Sequence, residues 1–144
     1  MAITSAICNS FKVQILTGTH NFTVTSGDTF NLALYTSSAT LNKSTTAYIT
    51  SNEVATATGY TAKGKALTSV TPVLSSDTAV CDFANVSWTS ASFTSRGCLI
   101  FNDSVATDPA VCAIDFGGDK TVTSGTFTIE FPAASAGTAI IGIA

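Results

Sequence analysis

Beyond residue 29 the apolar positions of this chain fall on every second residue. Phe30, Leu32 and Leu34 alternate with Asn31, Ala33 and Tyr35, and Ala79, Cys81 and Phe83 with Val80 and Asp82. Cys112, Ile114 and Phe116 alternate with Val111, Ala113 and Asp115, and Phe127, Ile129 and Phe131 with Thr126, Thr128 and Glu130. A period of two marks strands with one face toward a core. The segments 66–74, 97–101 and 138–143 also read as strands, with both faces fairly apolar. Turn signals punctuate the pattern at Ser26-Gly27-Asp28, Ser75-Ser76-Asp77, Gly117-Gly118-Asp119 and Ser124-Gly125. Short strands at this spacing predict an antiparallel β-sandwich or jelly-roll. The abundant threonines suit it, because a branched Cβ favours strands and a hydroxyl solvates the outer face.

Ahead of residue 18 the period is different. Ile7, Cys8, Phe11 and Ile15 recur at three- and four-residue spacing, Thr4 or Ser5 is placed to cap, and Gly18 to stop. These signals predict a short amphipathic helix over residues 5–17. Two uses are open to it: packing on the chain's own sheet, or serving as an arm (residues 1–18) that leaves a body (22–144) to dock on a neighbour. Residues 36–59 are small, polar and nearly uncharged, which predicts a long loop with at most one helical turn and a role in contacts.

Composition narrows the function classes. A chain of 144 residues fits one domain. Hydrophobic residues make up 45% and charged residues 10%, which excludes a disordered chain. A net charge of −3 and scattered cations argue against a nucleic-acid partner, and no apolar run suits a membrane helix. A surface this poor in charge is suited to lying against copies of itself or a partner. Residues 1–8 lack the charged and apolar regions of a signal peptide, so folding in a cytosol is expected. Cys8, Cys81, Cys98 and Cys112 then read as buried free thiols, with disulfides as the alternative. No metal or cofactor is expected, because the cysteines are dispersed and His20 is the one histidine.

Candidate chemistry is sparse. His20 follows the helix stop and reads as a loop or capping residue. Asp82, Asp115 and Glu130 would be the carboxylates of a hydrolase, but all three lie on the polar phase of their strands. The string Asp115-Phe116-Gly117 matches a kinase motif without any of its companions, and residues 59–66 do not fit a phosphate loop. Trp88 suits either a sandwich core or an exposed stacking platform.

Five stretches resemble a family of small tailed-bacteriophage virion proteins: TSAICNSFKVQILTGTHNF (4–22), DTFNLALYTSSATL (28–41), GYTAKG (59–64), SRGCLIFN (95–102) and IDFGGDKTVTSG (114–125). The resemblance runs the length of the chain and includes no catalytic motif. It implies a non-enzymatic virion component assembled in a bacterial cytoplasm. Its most concrete form is a capsid decoration, or cement, protein that binds and stabilises the major capsid lattice, as a homodimer or homotrimer. The expected partners are the major capsid protein or other virion proteins. The expected contact residues are Ile7, Phe11 and Ile15 on the helix, with Trp88, Leu41 and Tyr48 as secondary contacts. The alternative is a tail or fibre protein binding a glycan receptor through Trp88, Tyr48 and Tyr60, and a virion-borne hydrolase stands third.

Overall fold

Strand formers dominate the chain, and the computed structural model, which describes residues 2–57 and 59–144, turns them into two antiparallel sheets with one short helix. The larger sheet takes β1 (Ala6–Ile7), β2 (Phe30–Tyr35), β3 (Lys65–Ala66), β6 (Val86–Asn102) and β7 (Ala110–Ile129), in the order β1-β7-β6-β2-β3. The smaller sheet takes β4 (Ser69–Ser75), β5 (Thr78–Phe83) and β8 (Ile141–Ile143), in the order β4-β5-β8. The sandwich expected from the alternation is therefore present. Phe83 of the smaller sheet joins the two layers, with its ring centroid 6.2 Å from Phe22 and 6.0 Å from Phe30.

Several elements depart from the sequence pattern for identifiable reasons. β2 alternates in sequence, yet all six of its residues are buried. Phe30 stacks on Phe22 at 4.3 Å, whereas Tyr35, of opposite phase, donates its hydroxyl to the Ile49 carbonyl in the 36–59 loop. Strand neighbours of opposite phase point to opposite faces, so β2 is covered on both. In β5 the phase is partly reversed: Val80 and Phe83 are buried, while Ala79 is exposed and Cys81 half-buried. The 36–59 segment is a loop, as expected, with no helical turn among its described residues, and packs inward through Ala39, Leu41 and Val54.

The Gly117-Gly118-Asp119 and Ser124-Gly125 signals do not end strands. They sit inside β7 as irregularities in its pairing with β6. Ser95 pairs with Lys120 and Gly97 with Asp115, so Arg96 alone stands opposite residues 116–119. Such a bulge needs backbone that L side chains adopt reluctantly, and Gly117 supplies it at φ +80°. The ladder shifts again near Ala91 and Gly125, where Ser90 and Ser124 both take positive φ. β7 is bent by these defects. Phe116 and Phe127 lie eleven residues apart, about 36 Å along a straight strand, yet their rings are 6.2 Å apart.

The N-terminal segment is not an arm beside a body. α1 spans Asn9–Leu16, shorter than the predicted 5–17, because Ala6 and Ile7 pair with Ala113 and Cys112 as β1. Cys8 takes the N-cap position in place of Thr4 or Ser5, and its side chain makes no capping bond. The predicted stop is present: Gly18 has φ +76°, with Gly18 N donating to Ile15 O and Thr19 N to Gln14 O, a Schellman closure. Ile3, Cys8 and Phe11 belong to the same core cluster as the strands.

Candidate interaction surfaces

The residues expected to make contacts divide by which side of the fold they face. Phe11 is 3% exposed, with its ring 4.9 Å from His20 and edge-on to Phe22 at 5.9 Å. Ile7 and Ile15 are half-buried against the same cluster. Leu41 is fully buried and bridges Ile3. Trp88 is 1% exposed, packed on Tyr60 and Phe127 beneath the Lys65 ammonium. Phe11, Leu41 and Trp88 are thus core residues of this chain and not surface anchors; for Phe11 the reason is that the apolar stripe that marked it is the one the chain's own core covers. Burial of Trp88 and Tyr60 also removes the stacking platform expected for a glycan.

Tyr48 is half-buried and belongs to a polar centre that the sequence reading did not single out. Glu53 accepts hydrogen bonds from Tyr48 Oη at 2.5 Å, Tyr60 Oη at 2.7 Å and the Lys63 backbone N–H at 2.7 Å. Tyr60 Oη in turn accepts from the Leu34 N–H of β2 at 2.9 Å. Burial and the neighbouring Glu53 carboxylate push the Tyr48 hydroxyl up to about 12 and raise Tyr60 further. The Lys63 ammonium lies 3.0 Å from Asp103 and 2.8 Å from Asp108. These contacts fix the 36–59 loop to β2 and to the turn between β6 and β7, and hold tyrosines too basic to act as acids near neutral pH.

A second polar group lies under α1. His20 Nε2 is 2.9 Å from Gln14 Oε1, and its Nδ1 is 3.1 Å from Asn102 Nδ2, which also donates to Asp28. Gln14 Oε1 can only accept and the Asn102 amide can only donate, so the pair fits one neutral tautomer. Burial lowers the His20 pKa. A neutral, immobilised imidazole with no nucleophile bonded to it ties the helix to β6.

The carboxylates weighed for hydrolysis are separated by element. Asp115 is bonded by Arg96 Nε at 2.9 Å and by the Gly117 N–H, which hold its carboxyl below the usual range. Asp82 sits on the smaller sheet and accepts from the Phe83 N–H, while Glu130 is exposed just beyond β7. Among the described residues no three His, Cys, Asp or Glu side chains are grouped to hold a metal, and no helix is long and apolar enough to cross a membrane. All four cysteines are free, with Cys8, Cys98 and Cys112 buried and Cys81 half-buried.

What remains uncovered is apolar. On the outer side of α1, Val13 is 64% and Leu16 88% exposed. β4 is exposed along both faces, with Val70 at 42%, Val73 at 53% and Leu74 at 72%. The strand itself is where the sequence pattern places one, with both faces fairly apolar as expected. The clue in its sequence was the lack of any charge from residue 66 to 76, which suits a buried strand and a contact strand equally. Beside the bend in β7 lies an open groove of about 600 Å³ lined by Ile114, Phe116, Val122, Phe127, Ile129 and Phe131 of this strand and its C-terminal extension, together with Ile140. No protein-family model, curated protein or solved structure matches the chain.

Proposed function

We propose that this chain is a non-enzymatic structural protein of a tailed-bacteriophage particle, a decoration protein that binds the assembled capsid lattice and stabilises it. The observation that carries this is the outer face of α1. Leu16 and Val13 are the most exposed large apolar side chains on the helix, on a surface where charged residues are only 10% of the sequence. Water disfavours such a face, and a protein surface that covers it gains the corresponding burial energy. The resemblance to small virion proteins supports the same class of partner. The shell-facing residues are then Val13 and Leu16, on the side of the helix opposite the stripe first expected to dock.

A protein that binds the assembled lattice and not its separated subunits shifts the equilibrium toward the shell by mass action. A specific contact of this kind buries about 800 Å² on each partner. The test is to add the purified chain to shells of the encoding phage that lack it, and to follow cosedimentation and the temperature of DNA release. Saturable binding and a higher release temperature are expected, both lost in Leu16→Asp. Shells that bind neither form, or bind Leu16→Asp as well as the parent chain, would overturn the assignment.

A further inference from the structure

We infer that this chain cleaves its own backbone at the Asp108–Pro109 bond, by attack of the Asp108 carboxylate on its own main-chain carbonyl carbon. The inference concerns the chain alone and does not depend on the virion assignment. It starts from a backbone outlier. Asp108 has φ +47°, and among the described non-glycine residues with positive φ it alone precedes a proline. A residue with a side chain avoids this region, and the ring of a following proline pushes it further toward extended backbone. Such strain persists only where the surroundings impose it, and it gathers at sites of chemistry. Here the surroundings grip both sides of the bond. The Asp108 N–H donates to Val105 O at 2.8 Å, and the Asp108 carbonyl accepts from the Tyr48 N–H at 2.9 Å. The Pro109 carbonyl accepts from the Asn102 N–H at 2.9 Å, and Pro109 bridges Ala47 on its other side.

The same contacts suit the bond to cleavage. An aspartate side chain is the right length to close a five-membered ring on its own carbonyl carbon, and proline offers a tertiary amide nitrogen as the leaving group. Lys63 Nζ lies 2.8 Å from Asp108 Oδ2, which keeps the carboxylate ionised and in place and leaves Oδ1 to attack. Negative charge then develops on the Asp108 carbonyl oxygen, where the Tyr48 N–H already points. Attack forms the Oδ1–C bond and closes a cyclic anhydride. The C–N bond breaks, its electron pair stays on the Pro109 nitrogen, and that nitrogen takes a proton from solvent. Asp108 is only half-buried, so water reaches the anhydride and opens it. The products are a chain ending in Asp108 with two carboxylates and a chain beginning at Pro109 with a free secondary amine. One water is consumed, and nothing is oxidised or reduced. The cut falls between β6 and β7, whose ladder from Val86 to Phe101 against Ala110 to Ile129 keeps the two pieces in one body.

Intact-mass spectrometry on the purified chain tests this. The chain is held for several days at about pH 5, where an aspartate with the ordinary pKa is still ionised and acid is available to the leaving nitrogen. Trp88 fluorescence checks that it stays folded. Two fragments, 1–108 and 109–144, are expected, with masses that sum to the parent plus one water. They should appear about tenfold faster in the folded chain than in the same buffer with urea, because unfolding releases both the strain and the Tyr48 N–H. Pro109→Ala and Asp108→Asn should stay whole over the same period, since the first removes the leaving group and the second the carboxylate while keeping a side chain that tolerates positive φ. A folded parent chain that remains whole would overturn the inference. So would equal rates with and without urea, or an Asp108→Asn chain cut as fast as the parent.

Discussion

Phe11→Ala distinguishes a helix that belongs to the core from one that hangs beside it. Phe11 is 3% exposed and its ring is enclosed by His20 at 4.9 Å and Phe22 at 5.9 Å. Truncating a phenylalanine in such a site removes its transfer energy and leaves a cavity, for a loss of about 3–5 kcal/mol. Two of its neighbours, His20 and Phe22, are pinned by bonds and stacking to Asn102 and Phe30, so the site cannot collapse readily and the loss belongs in that range. With a urea m-value of about 2 kcal/mol/M, the unfolding midpoint falls by about 2 M. The single tryptophan, Trp88, is buried and reports unfolding by fluorescence. Leu16→Ala is the internal control: it lies on the same helix but is 88% exposed, and should change stability by no more than about 0.5 kcal/mol. If the two variants shift the midpoint equally, or Phe11→Ala leaves it in place, the helix is not part of the core and the account of this end of the molecule is wrong.

The polar centres and thiols give three further outcomes. Glu53→Gln should lower the ionisation midpoint of Tyr48 from about 12, read by absorbance at alkaline pH, because the carboxylate that disfavours the tyrosinate is gone; an unchanged midpoint would mean that Glu53 does not govern it. Because burial lowers the folded pKa of His20, the unfolded chain takes up the proton first, so stability should fall as pH drops below about 6.5 and level off below the folded value. Asp115, whose pKa is also lowered, acts only in the more acidic carboxylate range, so a His20→Asn chain should lose the slope between pH 7 and 5, and a retained slope would refute the assignment. Burial raises all four thiols, with Cys8 pushed up to about 11 and Cys112 to about 12, so a thiol reagent at neutral pH should label Cys81 slowly and the other three only after denaturation. Rapid native labelling of Cys98 or Cys112 would contradict their placement.

The strands were legible where alternation, a local property, was clean: residues 30–35 and 79–83 lie in β2 and β5, whereas of β6 only 97–101 was expected and β7 joins two runs, 111–116 and 126–131, that were expected as separate strands. Which phase is buried was less legible. Both phases of β2 are covered because the 36–59 loop and the segment around Phe22 lie on opposite sides of it, and neither contact is local in sequence. The glycine signals at 117–118 and 125 were real signs of irregular backbone. A bulge and a turn need the same left-handed residues, so sequence could not say that the strand continues through them. The docking residues were misassigned for a related reason. An apolar stripe identifies the face that is covered, and for α1 the cover is the chain's own Phe22 and His20. The side that is left open is marked by Val13 and Leu16, which sequence alone ranks no higher than Ile15. Glu53 was missed because a lone carboxylate in a polar loop has no spacing to reveal it, and its partners Tyr48 and Tyr60 are brought to it only by the folded loop.

The claim that this is a capsid decoration protein is tested most directly by counting it in gradient-purified particles of the encoding phage, against the major capsid protein. A fixed ratio to the capsid subunits, comparable in copy number, is the predicted result. A handful of copies would place it in the neck, tail or fibres, and its absence from the particle would contradict a structural role there altogether.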